Sequence, residues 1–299
     1  MPGRLRVKHS DAEVVEQLVA QRWLDCHGLQ ARAWLDQVLD IARGWAQRWD
    51  LVLGTPLRGG SVSVVYAVER RDGPAVLKLA PPWSRWSGHE AAALGAWDGR
   101  GAIRLLAASD DAHALLLERV SPGRAATGMT TADLAVLLTA LSRRPVPAGM
   151  PSLAEAVHLR FERAGENRHR LLSAADIWRA RCAAVELAGT LEGLPGLCHG
   201  DLMSKNILLS HDRGPLAIDP IPCAGDPAYD AAQWALTQVP VAQAPQRAGA
   251  IAAALGIPAD NVLRWVGVLS AVEVSLASRH RAQASLELAR RLNAEWLRD

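Results

Sequence analysis

The chain has 299 residues, 49% of them hydrophobic and 21% charged, with a formal net charge of +2. That is ordinary for a globular protein large enough for two lobes, and a near-neutral charge with no basic run leaves no electrostatic footprint for a nucleic-acid partner. No apolar run reaches membrane-span length and Met1 to Arg6 lack the apolar stretch of a signal peptide; with four cysteines (26, 182, 198, 223) in no C-x-x-C or zinc-ligand spacing, a cytoplasmic protein with reduced thiols and no membrane partner is expected.

Residues 10–49 place apolar side chains at helical spacing (Val14, Leu18 and Val19, then Trp34, Val38, Leu39, Ile41, Ala42 and Trp45) and predict two helices ahead of a sheet. From Leu51 the period shortens. Residues 51–53, 62–68 and 75–79 predict three antiparallel strands, with a glycine turn at Gly59-Gly60 and a second turn at 71–74. A helix follows over 85–97, with Glu90 in its middle. Residues 103–106 and 114–120 add two strands around a turn at Ser109-Asp110-Asp111. Ser121-Pro122-Gly123 breaks the pattern, and a lobe boundary is expected there, between residues 1–120 and 121–299. Beyond it, helices are predicted over 131–143, from the capping box Ser152-x-x-Glu155 toward 168, and over 174–191, 227–237, 244–255, 259–280 and 283–297.

One stretch interrupts this helical half. His199-Gly200-Asp201 is followed, after four residues, by Asn206, and thirteen positions later by Asp219 at the end of Leu216-Ala217-Ile218. An Asp or Asn in a loop often only closes a turn or caps a helix. Here, however, two apolar runs, Ile207-Leu208-Leu209 and Leu216-Ala217-Ile218, flank a turn at 211–214. Paired as strands, they would set Asn206 beside Asp219. Phosphoryl transfer needs such a trio: a carboxylate to accept the proton of the attacking hydroxyl, and an amide oxygen with a second carboxylate to hold Mg²⁺. Asp201, Asn206 and Asp219 fit these roles in that order, in the spacing of a kinase catalytic loop, with Gly200 where protein kinases carry Arg.

The first half supplies a nucleotide side. Gly59-Gly60-Ser61 can turn backbone N–H groups toward phosphates, although it matches neither G-x-G-x-x-G nor a P-loop. Only three lysines occur, Lys8, Lys78 and Lys205. Lys78 lies on the third predicted strand and precedes a helix bearing Glu90, the arrangement of a phosphate-binding Lys held by a helix carboxylate. Asp98 is the alternative partner. The adenine edge is expected against the main chain of Glu118-Arg119-Val120. The eleven Trp against one Phe are read mostly as core residues, and Cys198, beside the loop, as a small buried hydrophobe.

These motifs resemble the aminoglycoside phosphotransferases, within them the streptomycin 6-phosphotransferase and hydroxyurea phosphotransferase type. The resemblance spans roughly residues 31–240. It rests on Gly59-Gly60-Ser61, Ala75–Leu79 with Lys78, the 101–106 and 115–118 segments, His199-Gly200-Asp201 with Asn206, Ile218-Asp219-Pro220, and Gly225-Asp226-Pro227-Ala228-Tyr229-Asp230. It implies an α+β, bilobal, protein-kinase-like fold, with a five-stranded nucleotide-binding lobe and a helical lobe carrying the catalytic loop and acceptor pocket. It also implies ATP as donor, Mg²⁺ as cofactor and a small hydroxylated molecule as acceptor. Asp201 would be the base, Asn206 and Asp219 the metal ligands, and His199, Asp226 and Asp230 supports of the catalytic segment; an N-cap and a first-turn acid of the next helix is the plainer reading of Asp226 and Asp230, and both can hold together. Leu202-Met203-Ser204-Lys205 and Ile221-Pro222-Cys223-Ala224 depart from the usual pattern; Lys205 could meet the γ-phosphate or repel a cationic acceptor. Carboxylates for such an acceptor could come from Asp133, Glu155, Glu273 or Glu287, although a solvated face is the plainer reading of each. Among acceptors the resemblance implies an aminoglycoside of the streptomycin type, phosphorylated at its 6-hydroxyl to confer resistance, with hydroxyurea or another small metabolite as the alternative and a nucleotide-binding scaffold without transfer activity as the second.

Overall fold

The structure is a computed structural model that describes residues 10–57, 63–165, 167–190, 194–292, 294 and 296–297, with side chains described from residue 28 onward. The chain divides into two compact units, residues 1–91 with 104–119, and residues 92–103 with 120–299.

The first unit opens with helix α1 (Ser10–Arg48). The two helices expected over 10–49 are one span kinked at Gly28, whose φ of 53° and ψ of −131° only glycine adopts at low cost. Strands β1 (Val52–Pro56), β2 (Val64–Arg70) and β3 (Gly73–Leu79) follow, then helix α2 (Ser87–Trp97), which the division into units cuts, then β4 (Leu105–Ala108) and β5 (Ala114–Glu118). The sheet is antiparallel in the order β1-β2-β3-β5-β4. Successive side chains of each strand point to opposite faces of the sheet. Val64, Tyr66 and Val68 of β2, Ala75, Leu77 and Leu79 of β3, and Ala114 and Leu116 of β5 form one core with Ala31, Trp34, Leu35, Val38 and Ala42 of α1. The helical spacing of that last set gives α1 the apolar stripe that covers one sheet face. Lys78, between Leu77 and Leu79, therefore belongs to the opposite face.

The second unit contains β6 (Pro122–Ala125), α3 (Thr131–Ser142), α4 (Leu153–Ala164), α5 (Ala174–Ala188), β7 (Gly196–Cys198), β8 (Ile207–Ser210), β9 (Gly214–Ala217), β10 (Cys223–Gly225), α6 (Ala228–Thr237), α7 (Ala244–Leu255), α8 (Ala259–Leu276) and α9 (Arg279–Arg291). The expected hairpin forms, with Ile207 opposite Ala217 and Leu208 opposite Leu216. The predicted breaker at 121–123 instead opens a strand: β6 pairs with β8 at the edge of the sheet β6-β8-β9. Pro122 is the first residue of an edge strand, where its missing N–H costs no ladder bond. The strand expected over 103–106 is displaced, because Ile103 N–H donates to Ala217 O (3.1 Å) and Ala217 N–H to Gly101 O (2.8 Å), which ties 101–103 to β9. Strands β7 and β10, three residues each, pair in register with Cys198 opposite Cys223; so short a segment has no readable period. Helix α4 stops at Ala164 before Gly165 rather than at 168, and α8 gives way to α9 at Ser278, which takes the extended backbone of an N-cap.

Helix α8 is the axis of this unit, packing against α4, α5, α6, α7 and α9. Trp265 and Trp296 are fully buried and Trp296 Nε1 donates to Gly267 O (2.8 Å). Trp178, in contrast, is 63% exposed, so the tryptophan excess is not wholly a core feature. No helix of the described residues is long and apolar enough to cross a membrane.

Candidate active site

In the second unit, β7 delivers the chain into the His199-Gly200-Asp201 loop. Gly200 has φ 79°, and a Cβ there would lie 1.8 Å from Ile221 O, so no other residue fits. That contact explains why glycine, not arginine, precedes Asp201. Asp230, in the first turn of α6, accepts the backbone N–H groups of His199 (2.6 Å) and Gly200 (2.9 Å) and is 1% exposed. Burial raises its pKa to about 6; the two backbone bonds oppose this, and the nearby Asp201 charge adds to it.

The His199 ring is fully buried, stacked on Trp97 with centroids 6.1 Å apart. Its Nε2 lies 3.0 Å from Ile218 O, while Asp201 N–H donates to its Nδ1 (3.3 Å). A carbonyl only accepts and an amide N–H only donates, so these bonds define a neutral imidazole protonated at Nε2. The ring thus braces both ends of the loop, against Ile218 and Asp201.

Both oxygens of Asp201 are engaged. Asn206 Nδ2 donates to Oδ2 (2.8 Å) and also to Asp201 O (2.8 Å). Gln233 Nε2 donates to Oδ1 (3.1 Å), while Gln233 Oε1 accepts Leu202 N–H (3.0 Å). Arg160 Nη1 of α4 lies 3.4 Å from the same Oδ1. The sequence reading missed Gln233 and Arg160. Gln233 stands three residues after Asp230, on the same helix face, and both are buried, so the repeat of buried polar groups was the available signal.

Just beyond the hairpin, Ile218 N–H donates to Asn206 O (2.9 Å), which places Asp219 next along the chain from Asn206's hydrogen-bond partner. Asp219 has φ 56°, an unusual backbone for a residue with a side chain. The Asn206 amide nitrogen faces Asp201 O, an acceptor, so Oδ1 is the atom turned away and available to a cation. One amide oxygen and one carboxylate suit Mg²⁺, which takes its remaining ligands from phosphates and water. Among the described residues no cluster of three or more His, Cys, Asp or Glu could hold a metal.

Of the two supports expected from the Gly225–Asp230 motif, Asp230 is, among the described residues, the one that bonds the catalytic segment. Asp226 accepts Ala228 N–H (2.8 Å) at the start of α6 and Asn261 Nδ2 of α8 (2.5 Å), so it anchors the helix that carries Asp230 and Gln233. Cys198 and Cys223 are buried free thiols. Their mutual hydrogen bond, then burial, push the Cys198 thiol well above its usual pKa, which makes it unreactive. Lys205 is exposed. Asp133 and Glu155 close the capping boxes of α3 and α4, and Glu273 pairs with Arg281 Nε (2.6 Å); Glu287 is exposed.

In the first unit, Lys78 Nζ donates to Glu90 Oε1 (2.6 Å) and Oε2 (2.7 Å), with the two residues 7% and 5% exposed. The lysine is thus a buried ion-paired group, not an edge residue in solvent. Asp98, the alternative partner, is an exposed residue just beyond the end of α2 with φ 47°. Glu118 N–H donates to Arg104 O (3.0 Å) and Glu118 Oε1 accepts Arg104 N–H (2.9 Å), so the strand end is fixed from both sides. Val120 is half-buried. Gly59, Gly60 and Ser61 lie outside the described residues.

The chain is similar to known proteins. Residues 48–275 match the aminoglycoside/hydroxyurea antibiotic resistance kinase family. A hydroxyurea phosphotransferase of Kitasatospora aureofaciens is 34% identical over 213 residues, which cover 68% of this chain and 62% of that protein. A streptomycin 6-kinase of Streptomyces griseus is 33% identical over 231 residues, 74% of each chain. The fold is that of a solved macrolide 2'-phosphotransferase type I, with a TM-score of 0.55 at 18% identity over 84% of this chain and 96% of that one. The chain belongs to the aminoglycoside/hydroxyurea antibiotic resistance kinase family, and is a phosphotransferase of protein-kinase-like fold that acts on a hydroxyl group.

Proposed function

We propose that the protein transfers the γ-phosphoryl group of ATP to the 6-hydroxyl of a streptomycin-type aminoglycoside, and so confers resistance to it. The observation that carries this reading is the Asp201 carboxylate, oriented by Asn206 and Gln233 on a loop clamped by Asp230. Asp201 accepts the proton of the acceptor hydroxyl as that oxygen bonds to phosphorus and the bond to the departing ADP breaks. Lys78, held by Glu90, grips the α- and β-phosphates. The main chain of Glu118 and Val120 meets adenine. Asn206 and Asp219 hold Mg²⁺, which neutralises phosphate charge. His199 and Asp230 keep the loop in place, and Asp226 anchors the helix that carries Asp230. This chemistry belongs where ATP is, in the cytoplasm.

A second acceptor, hydroxyurea, is supported by the nearly equal identity to relatives named for each substrate. A coupled ADP-release assay with Mg-ATP and a panel of streptomycin, kanamycin, hydroxyurea and simple sugars tests both, with Asp201→Asn as the blank. Turnover of streptomycin alone is the expected result, and hydroxyurea alone would move the assignment to the second reading. Tight Mg-ATP binding without turnover of any acceptor would mark a nucleotide-binding scaffold. Wild-type turnover by Asp201→Asn would remove Asp201 as the base.

A further inference from the structure

Helix α4 buries Leu153, Ala156, Val157, Phe161 and Ala164. Arg160 is seven residues beyond Leu153 and three beyond Val157, so it stands on the same stripe. A guanidinium there is rare unless an acid meets it. The start of the helix is set by backbone: Ala224 N–H of β10 donates to Pro151 O (2.8 Å), and Ser152 bridges to Ala224. At Gly225 a Cβ would lie 2.5 Å from Leu153 Cβ, so the first turn of α4 rests on the bare backbone of β10. Strand β10 pairs with β7, which runs directly into His199. The register of α4 against the catalytic loop is thereby fixed, and two turns along the helix Arg160 arrives at Asp201.

There its Nη1 meets Asp201 Oδ1 (3.4 Å), Gly200 O (3.3 Å) and Tyr229 Oη (3.5 Å). The Arg160 side chain is 18% exposed and its Nε is buried with no hydrogen-bond partner among the described residues. Burial disfavours the cation, yet Tyr229, Asp201 and Glu273 hold its pKa above the usual arginine value. The price of placing this charge inside is not recovered by geometry ideal for a structural ion pair, since every one of its contacts is long. A charge kept on a buried stripe under those terms serves the group it faces.

We propose, resting on the phosphotransferase reading above, that Arg160 is a positioning residue for the transfer: it holds Asp201 Oδ1 on the α4 side while Asn206 holds Oδ2, fixing the carboxylate plane against which the acceptor hydroxyl docks. Asn206 and Gln233 each bond one oxygen of Asp201 and leave its charge uncompensated. Arg160 supplies the cation that keeps the carboxylate turned toward the loop when the acceptor is absent.

The test compares Arg160→Met, close in shape and uncharged, with Arg160→Lys, and uses Arg160→Gln should the Met variant not fold. The uncharged variant is expected to lose at least about tenfold in kcat, with KM for Mg-ATP within twofold of wild type. Arg160→Lys should recover most of that loss. In a crystal structure of the uncharged variant, Asp201 should have left Asn206 or Gln233. Wild-type kcat in the uncharged variant, a Lys variant no better than it, or an Asp201 that keeps both bonds would overturn the proposal. If wild-type enzyme phosphorylates no acceptor, it is the functional reading that fails, and the position of Asp201 in the variant structure still decides the role of Arg160.

Discussion

A methyl group at position 200 would lie 1.8 Å from a carbonyl oxygen, on a backbone already at φ 79°. Gly200→Ala must displace either Ile221 or the Asp201 loop, and a shift of that size next to the base is expected to lower kcat by roughly a hundredfold and to destabilise the fold by more than about 1 kcal/mol. Steady-state kinetics beside chemical denaturation read the two effects separately. Asp230 gives a prediction with a pH sign. Its pKa in the folded protein is about 6, above the ordinary 3.8, because burial disfavours the charge. The folded state therefore binds the proton more tightly than the unfolded one. The stability it contributes is complete below about pH 4 and lost as pH rises toward 6, a span worth roughly 3 kcal/mol. Unfolding free energies of wild type relative to Asp230→Asn should fall across that window and level above it; a flat difference would refute the assignment.

Elements act as units that hold such groups. Strand β3 puts Leu77 and Leu79 into the core under α1 and turns Lys78 to the other face, where α2 presents Glu90. Removing one member of a buried pair leaves the other charge uncompensated, which costs about 3–5 kcal/mol. Glu90→Gln should therefore lower the denaturation midpoint strongly and weaken nucleotide binding as well, whereas a midpoint within error of wild type would mean the pair is not buried in solution. Helix α6 shows the same logic in the second unit. Asp226 fixes its first turn, and Asp230 and Gln233 then reach the loop from successive positions on one face. The motif legible in the sequence, Gly225 to Asp230, marks the helix start; the residue that touches Asp201 lies one turn further on.

For the whole molecule, a ligand that binds only the folded state raises its stability with concentration. Mg-ATP should raise the Tm of wild type, and chelation of Mg²⁺ should reverse that rise. Asp219→Ala should abolish the Mg²⁺-dependent part while leaving the unliganded Tm near wild type. An undiminished shift in the variant would take Asp219 out of the metal site.

The sequence alone determined the order of β1 to β5 with α2 between β3 and β4, the hairpin that follows Asn206 and leads to Asp219, and the spacing of Asp201 from Asn206, because period and spacing are local properties of the chain. It could not show that Gly200 is required by Ile221, or that Gln233 and Arg160 converge on Asp201 from helices far apart in the chain, and it left open whether Asp226 serves α6 or the loop. Short strands such as β7 and β10 carry no period, yet they set the register that brings α4 to the loop. Those contacts exist only once backbone pairing and close packing have fixed which residues meet, and that is decided by tertiary structure.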